Sequence, residues 1–252
     1  MKAQARVHPS SPLDSVPTMT SPEQTKSPPA DVPAWRSPRA WFILVLVVSF
    51  GLAADLISKD WAFRTVAANP VVLDYEDVVS GKGQIPFHDG VRALSPNLLD
   101  FRLVLNRGAV FGIGQGQRLA FVVFTLVAIG VALSVFGWWT RSKAILAHVA
   151  IGLILAGGLG NLYDRLMIGA VRDFLNMLPR RELPFGISWP QGDTSVFPWV
   201  FNVADVELLV GMSLLLIYVH LSDRKARLAL KESEEKPVTE SNQASEGHPG
   251  EG

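Results

Sequence analysis

Four long apolar runs, each almost free of charge, divide the chain. They cover about residues 39–60 (AWFILVLVVSFGLAADLISKDW), 118–139 (RLAFVVFTLVAIGVALSVFGWW), 143–164 (KAILAHVAIGLILAGGLGNLYD) and 199–221 (WVFNVADVELLVGMSLLLIYVHL). A helix needs about 20 residues to cross the hydrocarbon core of a bilayer. None of the four runs has a polar face, which the helices of soluble proteins nearly always show. The pattern therefore predicts four transmembrane helices rather than the buried core of a soluble bundle. Trp41, Trp61, Trp138, Trp139, Trp199 and Tyr218 fall near the ends of the runs, where aromatic rings anchor a span at the interface.

Between the first two spans the pattern changes. VVLDYEDVV (71–79) and NLLDFRLVLN (97–106) carry β-favouring residues with partial alternation, separated by SGKGQIPFHDG (80–90). They predict a small antiparallel sheet on the membrane surface. NRGAVFGIGQGQ (106–117) then brings glycines for tight turns. The expected fold is an all-α polytopic membrane protein with four transmembrane helices, a small antiparallel β-sheet (about 62–117) and an extended outer loop (about 166–198). The spans and these segments make one domain, 39–222. Residues 1–38 are rich in Ser, Pro, Thr and Ala, and 223–252 are strongly polar. Neither tail buries enough apolar surface to offset its ordering entropy, so both are expected to be disordered.

Charge gives the orientation. Arg36 and Arg39 precede the first span, Arg141 and Lys143 fill the turn between the second and third, and Arg224, Lys225, Arg227 and Lys231 follow the fourth. All three sets lie on one side, which the positive-inside rule assigns to the cytoplasm, with both termini. Arg180 and Arg181, in an outward segment, run against the rule. The first apolar run lies behind a long polar stretch with no small-residue cleavage site after it, so it reads as a retained span and not a signal peptide. The formal net charge of the 252 residues is zero, which argues against a nucleic-acid partner. The absence of cysteine excludes disulfides, thiolate metal sites and a cysteine nucleophile.

The apolar background makes a few polar residues conspicuous: Asp55, Asn161, Asp164, Asp173, Asn202 and Asp205. Ionisable groups at membrane depth are costly and default to a functional hypothesis. Asn161, Asp164 and Arg165 share one helical face, beside glycines 157, 158 and 160 that permit close helix approach. Asp164 and Arg165 are as readily a structural ion pair. GAVRDF (169–174) reads as extended and returning to the membrane surface. If the third and fourth spans pack together, Asp173 and Asp205 meet at the outer interface. Two carboxylates in one apolar site share a proton. One then activates a water and the other polarises a carbonyl, which is peptide hydrolysis by an aspartic mechanism. Asn side chains nearby would orient the scissile amide or stabilise the oxyanion. The plainer reading of Asp205 is an N-cap-like residue favoured by the helix dipole.

Together these segments resemble the lipoprotein signal peptidases, the type II signal peptidases. DLISKDW (55–61), NRGAVFG (106–112), GGLGNLYDR (157–165) with GAVRDF, and FNVAD (201–205) match the family's motifs in order across about residues 41–220. The resemblance implies an aspartic endopeptidase of the bacterial inner membrane that cleaves a prolipoprotein before its diacylglyceryl-modified cysteine, near the periplasmic face. It makes Asp173 and Asp205 the catalytic dyad. It assigns Asn106, Asn161, Arg165 and Asn202 to substrate binding and site shape, and Asp55, Lys59 and Asp164 to support. It implies no metal, no cofactor and no obligate protein partner beyond lipidated substrate and membrane lipid. Three features depart from the family pattern: the long segment LPRRELPFGISWPQGDTSVFPW (178–199), an extended stretch before Asn106, and Arg172 within VRDF.

Other classes read differently. A small proton- or ion-coupled transporter would also carry intramembrane Asp and Asn, but neither an inverted repeat nor a pair of interrupted spans is visible. A non-catalytic scaffold needs glycines and packing rather than two acids at one interface. His88, His148 and His220 are too scattered for a metal site, and GGLGN ends in Asn where a presenilin-like protease carries Asp.

Overall fold

The computed structural model describes residues 31–94, 98–108, 117–190 and 192–235, with side chains of the last helix to 232. Four helices are long and apolar enough to cross a membrane. These are α1 (Pro38–Thr65), α3 (Arg118–Ser134, continued by a π-helical turn to Trp139), α4 (Ile145–Met167) and α5 (Val203–Glu235). Helix α4 is central: most of it is buried, whereas α1, α3 and α5 turn large apolar faces outward. Its small residues set the spacing. A Cβ on Gly152 would meet Val47 of α1 at 2.8 Å, and Gly157 faces the Ala204 carbonyl of α5. Close backbone approach of this kind is how membrane helices gain packing without a hydrophobic drive.

One end of the bundle carries a four-stranded antiparallel sheet of β1 (Val91–Leu94), β2 (Leu99–Asn106), β3 (Val171–Met177) and β4 (Val200–Phe201), in that spatial order. The register of β2 on β3 shifts between Phe101 and Val104, so Asp173 lies opposite Val104 and shares a sheet face with Asn106. Phe174 and Leu103 pack with Ala62 and Phe63 at the end of α1, which fixes the sheet to the bundle.

The structure departs from the sequence expectation at four places. VVLDYEDVV is not a strand: it is extended to Asp74 and then forms the short helix α2 (Tyr75–Val79). The Asp74 carboxylate accepts from the backbone N–H groups of Glu76 and Asp77, a local cap that outweighs β propensity. The sheet instead gains β3 and β4. The fourth span starts at Val203, because Val200 and Phe201 are taken into β4. Helix α5 continues through 223–235, where disorder was expected; Lys, Arg, Ala, Leu and Glu are strong helix formers there and extend a helix already nucleated in the span. At the other end, 31–37 belong to the folded unit: Ala34 is fully buried and donates to the Thr140 carbonyl, and Ser142 donates to that of Val32. The remaining tail residues, 1–30 and 236–252, lie outside the described residues.

Candidate active site

The site begins with how α5 starts. Asn202 is the residue before the helix, and its side-chain oxygen accepts from the Asp205 N–H at 3.1 Å. Asp205 Oδ2 in turn accepts from the Asn202 N–H at 3.1 Å. This reciprocal arrangement is a capping box, with Asp in the place usually held by Glu. The N–H of Ala204, another orphan of the first turn, donates to Asp55 Oδ1 of α1 at 3.0 Å. The plain reading of Asp205 as a capping residue is therefore correct as far as it goes.

The same cap gathers a second carboxylate. Asn202 Nδ2 donates to Asp173 Oδ1 at 2.6 Å and to Asn161 Oδ1 at 3.1 Å. Asn161 Nδ2 donates to Asp205 Oδ1 at 2.9 Å. Asn106 Nδ2 donates to the other oxygen of Asp173 at 3.1 Å. One residue, Asn202, thus ties both acids, with its backbone on Asp205 and its side chain on Asp173. Asp173 is almost fully buried, and its carboxyl is pushed up to about 7, first by burial and then by the negative charge of Asp205, against the opposing hydrogen bonds of Asn202 and Asn106.

Behind the two acids lies a buried ion cluster, open to the outside only at Arg172. Lys59 Nζ contacts Asp55 Oδ2 at 2.7 Å, Asn161 Oδ1 at 3.0 Å and Asp164 Oδ2 at 3.3 Å. Asp164 also accepts from the Arg172 guanidinium, at 2.8 and 3.1 Å, and from the Arg172 N–H at 3.0 Å. Two carboxylates and two cations balance there, which is what makes such burial tolerable. Asn161 joins this cluster to Asp205. Arg165 reaches along the site and donates to the carbonyls of Asn161 and Gly108, with its guanidinium 5.4 Å from the Phe121 ring centroid.

All nine residues singled out in the sequence therefore occupy one connected region. The ion pair weighed for Asp164 and Arg165 does not form: the partners of Asp164 are Arg172 and Lys59. Arg172, which stood out in the sequence only as a departure from the family pattern, is the counter-ion. The chain reverses through Gly169, whose φ of 90° suits glycine, and this brings residues eight apart into contact. Glu207 is a second residue that spacing did not reveal. It is buried, its Oε2 has no hydrogen-bond partner, and Oε1 fills the notch left by Gly51, where a Cβ would lie 2.8 Å away. Residues 109–112 of NRGAVFG lie outside the described residues. Among the described residues no three His, Asp or Glu side chains converge to hold a metal ion.

A family model described as signal peptidase (SPase) II, Peptidase_A8, matches residues 47–221. The chain is 32% identical over 189 residues to a lipoprotein signal peptidase of Clostridioides difficile, covering 74% of this chain and 99% of the relative. It is 30% identical over 181 residues to one of Clostridium acetobutylicum, covering 72% and 96%. A solved structure described as a bacterial membrane enzyme aligns with a TM-score of 0.48 and 24% identity over 84% of this chain and 98% of that one. Since the family model covers most of the membrane region and the relatives align over nearly their whole length, the chain belongs to the signal peptidase II family.

Proposed function

We propose that this inner-membrane peptidase cleaves prolipoproteins before the lipidated cysteine by an aspartic mechanism, with Asp173 and Asp205 as the catalytic dyad near the periplasmic face. The observation that carries the reading is the double hold of Asn202 on both carboxylates. In this reading Asp173, whose carboxyl is pushed up to about 7 by burial and by Asp205, carries the shared proton. Asp205 takes a proton from water as the hydroxyl adds to the scissile carbonyl carbon, and the Asp173 proton passes to the carbonyl oxygen. Collapse of the tetrahedral intermediate expels the amine of the cysteine, which takes up a proton from the dyad. In this reading Arg165 meets the substrate backbone, while Asn161 and Asn202 hold the two acids in place.

The transporter alternative is not favoured by the family membership or by the ion cluster. Asp55 and Asp164 are already paired with Lys59 and Arg172, which speaks against their serving as exchangeable ion ligands. The test is cleavage of a diacylglyceryl-modified prolipoprotein by purified protein in detergent. Wild type should release the signal peptide, and Asp173→Asn and Asp205→Asn should each lose at least about a thousandfold in turnover while still binding substrate. Near-normal turnover by either variant would remove that residue from the dyad.

A further inference from the structure

A cavity of about 280 Å³ opens on the side of β3 away from the dyad. Arg172 and Asp173 are consecutive on a strand and so face opposite ways. The cavity lies between the end of α1, the extended segment 70–73 and the start of β3. Its polar lining is Asp60, Arg64 and Arg172, and its apolar walls include Phe63, Leu73 and Ile168. Three observations bear on what it holds.

First, its depth is interfacial. Asp60 and Arg64 lie in the last two turns of α1, beside the half-exposed Trp61. Second, an apolar lane leads away from it into the bilayer. Phe50, Ile57 and Arg64 are spaced by seven and share a face of α1 with Asp60, and Phe50 and Ile57 are 78% and 69% exposed. Third, the charges are balanced. Asp60 and Arg64 pair at 2.8 Å on the rim and remain largely exposed. Arg172 uses Nε and Nη2 on Asp164, which leaves Nη1 for an outside acceptor, and its inner cluster is already neutral. A net anion would unbalance this site, whereas a zwitterion would not. We propose that the cavity seats the headgroup of a membrane phospholipid bearing a primary ammonium, with its phosphate on Arg64 and Arg172, its ammonium on Asp60, and its acyl chains along Ile57 and Phe50.

The proposal is independent of the peptidase chemistry. Delipidated full-length protein in detergent is offered equal amounts of phosphatidylethanolamine and phosphatidylglycerol, and bound lipid is counted by native mass spectrometry. Wild type should retain phosphatidylethanolamine over phosphatidylglycerol by roughly tenfold. Arg64→Ala should lose retention of both, and Asp60→Asn should lose the preference while keeping lipid. Neither residue belongs to the dyad, so prolipoprotein cleavage by both variants shows that they are folded. Equal retention of the two lipids by wild type, or retention unchanged in Arg64→Ala, overturns the proposal. Displacement of the lipid by inorganic phosphate alone also overturns it, since the site would then be a simple anion site.

Discussion

At the scale of single residues, the proposed dyad is built from a local folding device. Asn202 and Asp205 close a capping box that any helix start might use, and the second donor of Asn202 turns it into a clamp on Asp173. Asn202→Ala should therefore act twice. Loss of the cap costs about 1 kcal/mol, and the freed carboxylates should lower turnover more than a hundredfold with little change in KM, measured by steady-state cleavage. The pH dependence has a definite sign. Asp173 titrates at about 7 in the fold, so turnover should fall about tenfold per pH unit above that value as the proton is lost. Stability moves the same way. Between about 4, where an unfolded aspartate releases its proton, and about 7, the folded state binds a proton that the unfolded state does not, so stability falls as pH rises through that window. Melting curves of Asp173→Asn should lose the part of that slope that Asp173 contributes. The acids were legible in the sequence because carboxylates are rare in apolar runs. The partner of Asp164 was not, because Arg172 reaches it across a turn and no helical period relates the two. Removing Lys59 tests the network most sharply: Lys59→Met leaves Asp55 and Asp164 buried without it and should cost about 3–5 kcal/mol in detergent unfolding.

At the scale of elements, small residues decide how close the spans come. The Gly157 Cα faces the Ala204 carbonyl and that of Gly160 faces Asp55, so alanine at either position must push α4 away from its neighbours. Gly130 in α3 has open space around it. Gly157→Ala should abolish cleavage and lower the melting temperature, while Gly130→Ala should leave cleavage unchanged and, by helix propensity, stabilise by up to about 1 kcal/mol. The spans themselves were readable because twenty apolar residues have few alternatives in water or lipid. Their ends were not, because each end is settled by a specific contact. Pairing of Val200 and Phe201 with β3 delays α5 to Val203, and the bond from Ala34 to Thr140 draws 31–37 into the fold. The helix α2 was hidden for a similar reason: VVLDYEDVV is composed like a strand, and one Asp74 side chain redirects it.

At the scale of the whole molecule, the arrangement of basic clusters predicts that the sheet end faces the periplasm. The chain has no cysteine, so single cysteines report cleanly. Ser188→Cys, in the long loop before β4, should react with a membrane-impermeant maleimide on spheroplasts, and Ser222→Cys, at the other end of α5, only after permeabilisation. The opposite pattern would invert the topology. Asp55 completes the first turn of α5, although 149 residues of chain separate it from Ala204. Of the two acids, Asp173 leaves the ribosome before the last span, and Asp205 belongs to that span. During synthesis the first three spans can enter the membrane and pack with Asp173 in place and Asp55 held by Lys59 alone. Only when α5 docks do the cap, the clamp and the second acid form together. On the proposed mechanism, a nascent chain stalled before that step would lack one acid of the dyad and should not cut a substrate.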